Sequence, residues 1–305
     1  MKRALRPFSN TLLLATLIAC SGDRAPGKDT ASPEVPPPEG PAPTPPASTW
    51  NRAAGSLFAV RVANGANAWL INPQYGAGQA LDTLTSANWN VEGSSLTMID
   101  GATVTGSGRV TGLKFDSVCV GWPTASLATG AGVTGSWRLA FPEGAVDGLA
   151  FDSLPVVAAP DSAARARDGA FAASRLPDDT AAAFRGRPFY VRQASRFQVT
   201  PDTIITIYEV VRLVAQEANP LQEQILIFTE EGAGREPAVT FSRREIGAEE
   251  SMGSIELLGV LRVRSSGRLA VLLRRERESG FVLEWIERSA RGTWSVRWRS
   301  ATDSC

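Results

Sequence analysis

Short apolar runs separated by Gly, Asn, Ser and Thr fill the first half of the chain after residue 50. The runs lie at 57–62, 69–71, 96–99, 110–115 and 137–141. Short apolar runs bounded by turn residues are typical of β-strands. The pattern therefore predicts a β-rich half over residues 50–158.

An alanine-rich stretch then interrupts the strand pattern. The first predicted helix covers 163–174, and Asp161 and Ser162 can cap its N-terminus. The second covers 178–184, with Asp178 as its N-cap. Neither helix has a strong apolar face, so we expect residues 159–188 to form a helical bridge packed on a sheet. Gly169 lowers the helix propensity of the first helix.

The strand pattern is strongest in the last part of the chain, residues 189–305. The apolar runs 203–214 and 224–228 flank Ala218-Asn219-Pro220, which predicts a long hairpin. Four further strands, separated by glycine-containing turns, are expected at 255–263, 268–274, 281–286 and 293–298. Such regular spacing is typical of an antiparallel meander.

A proline-dense stretch precedes this body. Prolines crowd the part of residues 20–49 that lies between Pro33 and Pro46. This composition buries too little apolar surface to order itself and favours extended polyproline conformations. We predict a disordered tether; a proline-rich ligand for a partner domain is the alternative.

The first residues combine a basic start with an apolar stretch, 11–19, that is too short to span a membrane permanently. The stretch ends in Leu17-Ile18-Ala19-Cys20. This motif resembles the lipobox of bacterial lipoprotein precursors, in which the signal peptide is cut before the cysteine and the cysteine is acylated. The resemblance implies signal recognition through Leu17 and Ala19 and lipidation of Cys20. A plain signal peptide or a poor N-terminal anchor is the alternative.

The same resemblance implies a location and a partner. Ser21 is not an aspartate, and in that family such a residue lets the product leave the inner membrane of a two-membrane cell. We expect the periplasmic face of the outer membrane in such a cell, and a position outside the cytoplasm in any case. The lipid membrane is the predicted partner through acylated Cys20, and an envelope protein or glycan is a further partner of unknown identity.

Mainly β structure is the predicted fold class, as an antiparallel meander, sandwich or barrel with a short Ala-rich helical insertion and a disordered N-terminal stalk. The predicted segments are a signal peptide (1–19), a lipidated and proline-rich tether (20–49), a β-rich half (50–158), a helical bridge (159–188) and a C-terminal meander (189–305).

Composition excludes several kinds of chemistry. The 305 residues contain no histidine, which excludes Ser-His-Asp triads, Cys-His pairs and histidine zinc sites. Cleavage before Cys20 would remove three of the 31 basic residues and none of the 31 acidic ones, leaving a net charge of −3. Such a charge gives no general attraction to nucleic acid, which we do not expect as a partner. We predict no metal and no other cofactor.

Cys119 and Cys305 are the two cysteines that remain besides Cys20. In an oxidising compartment, an even number of remaining cysteines favours a disulfide between them. That bridge requires the first half to lie beside the C-terminus, in one integrated body. A reactive thiol is the alternative, but no histidine or flanking basic cluster is present to lower its pKa.

Residues 255–299 weakly resemble an integrin-type propeller repeat, in which an acidic calcium loop precedes a glycine. Gly267 fits that glycine. However, Arg262, Arg264 and Ser266 stand where the acids would be, so the calcium ligands are missing. An ordinary hairpin turn explains the same pattern.

Two other features could carry chemistry. Glycine-rich 101–112 lacks the Gly-Lys-Ser/Thr ending of a phosphate loop, and we interpret it as β-turns. The acid pairs that could serve glycosidic chemistry are Asp178-Asp179, Glu230-Glu231 and Glu249-Glu250. Neighbouring residues on a strand point to opposite faces, so we interpret these pairs as solvated charge.

The last strands are rich in tryptophan and arginine. Strict alternation would place Trp294, Val296 and Trp298 on one face and arginines on the other. Together with Trp285, these residues could form a stacking surface for glycans or for acidic groups of a partner. Interleaved glutamates favour cross-strand Arg–Glu pairs instead. The residues are Arg274, Arg275, Arg288, Arg291, Arg297 and Arg299, with Glu276, Glu278, Glu284 and Glu287.

Taken together, these patterns predict a membrane-anchored envelope lipoprotein whose body is a non-catalytic binding or assembly module. The main alternative is a carboxylate-dependent hydrolase of envelope polymers, which requires two acids from different strands in one cleft. A structural spacer without a ligand is the third hypothesis. An exposed edge of the final strands would offer a partner a site for β-augmentation.

Overall fold

The computed structural model describes residues 57–62, 67–73, 89, 91–115, 121–130, 136–155, 160–177, 182–214, 220–278 and 280–302. The predicted signal peptide, the tether, Cys119 and Cys305 lie outside these residues. All described residues belong to one compact unit.

The described chain is mainly β-strand with one short alanine-rich helix, which confirms the predicted fold class. The strands are β1 (Phe58–Arg61), β2 (Asn67–Ile71), β3 (Ser95–Asp100), β4 (Thr103–Lys114), β5 (Thr124–Thr129), β6 (Leu139–Pro142), β7 (Val146–Leu149), β8 (Asp152–Pro155), β9 (Tyr190–Thr200), β10 (Thr203–Val214), β11 (Leu221–Gly232), β12 (Ala238–Ala248), β13 (Met252–Val263), β14 (Leu269–Arg277), β15 (Gly280–Ala290) and β16 (Thr293–Arg299). The α-helix is α1 (Pro160–Ser174), and 3₁₀ turns cover Ala182–Phe184 and Glu249–Ser251.

The first six strands close into an antiparallel barrel with the strand order β1-β2-β5-β4-β3-β6. Apolar side chains such as Leu70, Leu96 and Met98 are fully buried in it. A β-carbon at Gly108 would lie 2.6 Å from the Met98 side chain, so glycine makes room there for the methionine. Barrels this small are filled by their own side chains, and the described side chains of this one form a hydrophobic core.

The later strands form two five-stranded sheets. The middle sheet has the order β16-β15-β14-β13-β7, and the outer sheet has the order β12-β11-β10-β9-β8. The predicted meander over β13–β16 and the predicted β10–β11 hairpin are confirmed. Strands β7 and β8, from the first half of the chain, each extend one edge of a sheet. The two halves of the sequence therefore share both sheets.

Apolar contacts stack these parts in layers. Phe58 and Phe141 of the barrel pack on Trp285 of the middle sheet, with ring centroids 6.1 and 6.3 Å apart. The other face of the middle sheet packs on the outer sheet through a core that includes Val271 and Phe228. Helix α1 covers the far face of the outer sheet. The order of layers is barrel, middle sheet, outer sheet and helix.

Helix α1 confirms the first predicted helix, although it begins at Pro160 rather than at 163, so that Ser162 lies inside the first turn. Gly169 faces the outer sheet, where a β-carbon would lie 2.7 Å from the side chains of both Tyr208 and Val191. Close packing thus explains the residue that helix propensity disfavours. In the second predicted helix, 178–184, the described part is the 3₁₀ turn Ala182–Phe184.

Five strands carry no clear sequence signal and were not predicted. They are β5, β7, β8, β9 and β12. Strands β7 and β8 are four residues long, and β12 is largely polar and partly exposed. Strands β7, β8 and β12 are sheet edges, where one flank has no strand partner in the sheet. These segments form strands because they pair with a longer neighbouring strand, rather than because of their local β-propensity.

The single-face prediction for the tryptophans of the last strand is wrong. A register shift in β16 leaves Trp298 opposite Trp285 and Val296 opposite Ile286. Trp298 packs in the core on the barrel side, whereas Trp294 lies in the core between the two sheets. A bulge inserts one residue and reverses the faces beyond it, so strict alternation fails here.

Candidate functional site

A cleft opens at one end of the two-sheet sandwich, where two turns of the middle sheet meet the end of β9. Its volume is about 310 Å³. Its lining includes Arg262 of β13, Arg268 of the β13–β14 turn, Arg288 of β15 and Arg291 of the β15–β16 turn. We call this cavity, with its four arginines, the arginine cleft.

Strand register brings two of these arginines together. Arg262 lies opposite Leu269, and Leu269 lies opposite Arg288, across β13, β14 and β15. Cross-strand partners share one face of a sheet at a spacing of about 5 Å. Leu269 belongs to the core between the sheets, so the two arginines flank an apolar side chain at the rim of that core.

The β13–β14 turn supplies Arg268 and a hydroxyl group. Gly267 in this turn has a φ of +67°, a conformation that favours glycine, and its amide donates to the carbonyl oxygen of Val263 at 2.7 Å. The Ser266 hydroxyl accepts a hydrogen bond from the Arg268 amide at 3.3 Å. Among the described residues no acceptor takes the Ser266 proton, so this hydroxyl can donate to a ligand.

Glu230, at the end of β11, fixes the other side of the cleft. Its carboxylate accepts hydrogen bonds from Arg288 at 2.6 Å and from the Gly292 amide at 3.1 Å. Arg291 lies 3.5 Å from the same carboxylate. Glu230 itself is buried. One buried carboxylate thus holds two arginines of the cleft and the backbone of the turn between β15 and β16.

The remaining arginine partners leave positive charge in excess. Arg268 and Arg297 share Glu287 at 3.5 and 3.6 Å. Arg262 donates to the carbonyl oxygen of Gly267 at 3.3 Å, and within the described chain no carboxylate forms an ion pair with it. The four arginines of the cleft therefore share two glutamates, Glu230 and Glu287, and Glu287 also pairs with Arg297 outside the lining.

A neighbouring ion pair lies beside Arg262. Asp147 of β7 lies opposite Arg262 in the register but binds Arg264, which donates to it at 2.6 and 3.0 Å. The hydrogen bond from Arg264 lowers the pKa of Asp147. The charge of Arg262 acts on Asp147 in the same direction, so this exposed carboxylate offsets part of the charge of Arg262, and none of its described hydrogen bonds reaches the cleft.

A second group of charges lies between the sheets toward the other end of β14. We call it the interior ion network; its members are Arg243, Glu245, Arg275, Arg277, Glu284 and Arg299. Arg275 and Glu284 are 1% and 0% exposed. Arg243 binds Glu284, and the Arg299 Nε lies 3.4 Å from Glu284. Arg277 donates to Glu245 at 2.5 Å, and Arg275 donates to Gln224.

Burial and charge act against each other in this network. Burial lowers the pKa of Arg275 to about 10, while Glu284 and Glu245 act in the opposite direction, so that Arg275 stays protonated at neutral pH. Burial by itself would raise the pKa of Glu245, but Arg275, Arg277 and Arg243 outweigh it and hold that pKa below its usual value. The members of the network bind one another, which indicates a structural role.

The stacking surface of tryptophans that we considered does not form. Trp285 and Trp294 are 8% and 6% exposed, and Trp298 packs against the barrel core. The predicted Arg–Glu pairing is confirmed: Arg274 binds Glu256 and Glu276, Arg297 binds Glu287 and Arg299 binds Glu284. Glu284 in the last of these pairs is buried between the sheets, whereas the pairs of Arg274 and Arg297 are partly exposed.

The other candidate sites separate in the fold. Glu230 and Glu231 point to opposite faces, as expected, but Glu230 is buried and ion-paired, so its interpretation as solvated charge is wrong. Glu249 and Glu250 are exposed, and Asp178-Asp179 lies outside the described residues. Residues 101 and 102 form the β3–β4 turn, but 103–112 belong to strand β4, so the interpretation of the whole segment as β-turns is wrong beyond its first two residues.

Several predicted residues cannot be placed. Leu17, Ala19, Cys20, Cys119 and Cys305 lie outside the described residues, so lipidation and the disulfide stay predictions. Within the described part of the chain, no three Cys, Asp or Glu residues lie close enough together to hold a metal ion. No helix among the described residues has the length and apolar character needed to cross a membrane.

Comparison of the chain with protein-family models, with curated proteins and with solved structures finds no match. The chemistry of the site therefore has to be argued from its own side chains. Guanidinium groups donate hydrogen bonds, accept none, and do not deprotonate in proteins. A cleft lined by four of them is suited to binding an anionic group rather than to acid–base catalysis.

Proposed function

We propose that this protein is a lipid-anchored module of the bacterial envelope that binds an anionic group without catalysis. The observation that carries the proposal is the arginine cleft, in which Arg262, Arg268, Arg288 and Arg291 surround one cavity with more positive charge than Glu230 and Glu287 balance. Excess charge in a cleft raises the local concentration of anions and favours their binding.

The composition of the cleft favours binding over hydrolysis. Hydrolysis by carboxylates needs two acids that face one substrate. The described lining contains guanidinium groups, hydroxyls and apolar side chains, and the two acids that contact its arginines, Glu230 and Glu287, are committed to ion pairs. A cleft with convergent polar groups also argues against a spacer without a ligand.

The anchor and the tether support the placement of the module in the envelope. In the proposed mature protein Cys20 is acylated, and the following residues to position 49 form a proline-rich spacer. At about 3.1 Å per residue in a polyproline conformation, such a spacer would hold the cleft tens of Å from the membrane. The proposed location is the periplasmic face of the outer membrane in a two-membrane cell.

Binding of small anions tests the proposed activity. We would titrate full-length protein in detergent with citrate and with inorganic phosphate by calorimetry. The double variant Arg262→Gln/Arg291→Gln is expected to lose binding. The matched control Arg109→Gln/Arg274→Gln removes the same charge from other parts of the body and is expected to bind like the wild type. Absence of binding to any anion, or equal loss in both double variants, would contradict the proposal.

The anchor is tested separately in cells. Growth with radiolabelled palmitate is expected to label the wild-type protein but not the Cys20→Ala variant. Whole-cell cross-linking of the same two strains then examines the partner, because a stoichiometric partner that disappears from the unanchored variant supports an assembly role. An unlabelled wild-type protein would contradict the lipid anchor without affecting the cleft.

A further inference from the structure

We infer that the group recognised by the arginine cleft is a phosphate monoester carried on a small organic moiety. This inference rests on the proposed anion-binding function and specifies its ligand. Three properties of the cleft lead to it: the number of its donors and the elements that carry them, its charge, and the apolar surface beside the arginines.

The donors come from two strands and two turns at one end of the middle sheet. Arg262 extends from β13, Ser266 and Arg268 belong to the adjoining turn, and Arg288 and Arg291 come from β15 and the turn after it. A carboxylate has two oxygens in one plane, which a single guanidinium fork can satisfy. A phosphate has three peripheral oxygens arranged around a tetrahedral centre, and these can be met from several directions at once.

The charge of the cleft favours a dianion. Four arginines line the cleft and share two glutamates, Glu230 and Glu287, which leaves two positive charges in excess among these residues; Arg262 has no carboxylate partner in the described chain. A phosphate monoester carries a charge of about −2 near neutral pH, whereas a carboxylate carries one negative charge. The monoester therefore neutralises more of the excess in the same volume.

The cleft is also larger than a bare anion. Its volume of about 310 Å³ lies at the lower end of the range for small-molecule sites. Val199 and Leu269 contribute apolar surface to its lining. An organic group attached to the phosphate, of the size of one sugar or of a lipid headgroup, would fill the space next to the arginines and cover these side chains.

A matched pair of probes tests the inference. Glucose 6-phosphate and glucuronate share a sugar ring and differ in the anionic group at the same end. We would measure the Kd of both by calorimetry with the full-length protein in detergent. We expect glucose 6-phosphate to bind at least about tenfold more tightly, as one additional charged hydrogen bond would give. Equal affinities would overturn the phosphate inference and leave the proposed anion binding intact. If neither probe nor citrate bound, both the phosphate inference and the proposed anion-binding function would be contradicted.

Variants locate the binding in the cleft. Arg262→Gln is expected to raise the Kd for glucose 6-phosphate about tenfold, and Ser266→Ala to raise it by a smaller factor. Arg274→Gln removes an arginine that is paired with Glu256 and Glu276 away from the cleft, and its Kd is expected to match the wild type. An unchanged Kd in both cleft variants, with the fold verified by circular dichroism, would overturn the assignment.

A further arm separates two sources of the phosphate. Full-length protein would be placed in lipid nanodiscs that contain phosphatidylcholine alone, phosphatidylcholine with phosphatidic acid, or phosphatidylcholine with phosphatidylglycerol. If the natural ligand is a lipid headgroup, phosphatidic acid, a monoester, weakens glucose 6-phosphate binding by competition, and phosphatidylglycerol, a diester, does not. Equal binding in all three discs assigns the cleft to a soluble or polymer-borne monoester. Competition by both anionic lipids would overturn the selectivity for monoesters.

Discussion

Individual buried charges show how this protein stabilises both ends of its sandwich. Glu284 has no exposed surface and contacts Arg243 and Arg299, while Glu230 binds Arg288 and Arg291 at the other end. Neutralising one member of a buried pair leaves its partners charged and desolvated, which costs more than the pair itself contributes. The glutamates are therefore the sensitive positions of both clusters.

Substitution of Glu284 tests the interior ion network. We expect Glu284→Gln to lower the free energy of unfolding by about 3–5 kcal/mol, because Arg243, Arg275 and Arg299 lose their buried counter-charge. Urea denaturation followed by tryptophan fluorescence measures the change. The control is Glu276→Gln, because the ion pair between Glu276 and Arg274 is partly exposed. This variant should change the free energy of unfolding by less than about 1 kcal/mol. Equal effects of the two variants would contradict a buried network.

Glu245 adds a pH dependence. Its pKa in the folded protein lies below the usual value of 4.5, so the folded state binds this proton less tightly than the unfolded state. Its contribution to stability is full above that usual value and is lost as the pH falls through the folded pKa. We expect urea midpoints to decline below pH 4.5 less steeply in Glu245→Gln than in wild type. Glu250→Gln, at an exposed position, should decline like the wild type; a parallel decline in all three proteins would contradict the assignment.

For individual residues, the sequence allowed the Arg–Glu pairing to be predicted but not the burial of these pairs. Alternating signs on neighbouring strands are visible in the residue order. Whether a pair such as Arg275 and Glu284 faces solvent depends on a second sheet packed over it, and that sheet, which includes the edge strand β12, was not fully predicted. Similarly, the residue order shows Arg262 only at a position where the propeller repeat has a calcium ligand, whereas its register with Leu269 and Arg288 places it in the cleft.

Among the elements, helix α1 shows packing overriding local propensity. A glycine within a helix is ordinarily replaced by alanine with a gain in stability. Here a β-carbon at position 169 would press on Tyr208 and Val191 of the outer sheet. The same contact brings the helix close enough for its small residues, such as Ala173, to be buried.

Replacement of Gly169 tests this packing. We expect Gly169→Ala to destabilise the protein by about 1 kcal/mol or more through overpacking, although helix propensity alone predicts a gain of about 1 kcal/mol. The exposed Ala163→Gly variant in the same helix is the control and should lose up to about 1 kcal/mol, as propensity requires. Chemical denaturation measures both, and a stabilised Gly169→Ala protein would show that the helix does not lie so close to the sheet.

Over the whole molecule, the barrel and the sandwich are joined by close backbone contact as well as by aromatic packing. The barrel turn at Gly101 meets Gly148 of β7, the edge strand of the middle sheet, where a β-carbon would lie 2.0 Å from the Gly101 carbonyl oxygen. A backbone atom cannot move aside as easily as a flexible side chain. Glycine is therefore needed at this position for the barrel to reach the sheet.

A methyl group at Gly148 tests the junction. We expect Gly148→Ala to reduce the free energy of unfolding by about 1–3 kcal/mol, the usual cost of overpacking. Gly112→Ala is a matched control in the barrel, because a β-carbon there meets nothing within 4 Å and should be tolerated. Thermal or urea unfolding compares the two. If both variants were equally stable, the barrel and the middle sheet would not meet at this turn.

By itself the sequence determined the mainly β class, the β13–β16 meander, the β10–β11 hairpin and the alanine-rich helix, because local periodicity, turn residues and caps specify such elements. It also provides the lipobox resemblance at Cys20, which is a linear motif. Only the tertiary structure decided that β7 and β8 complete the two sheets, that a barrel packs on the middle sheet, and that Arg262, Arg268, Arg288 and Arg291 share one cleft. These features depend on strand register and on contacts between residues far apart in the chain, and residue order alone does not specify either.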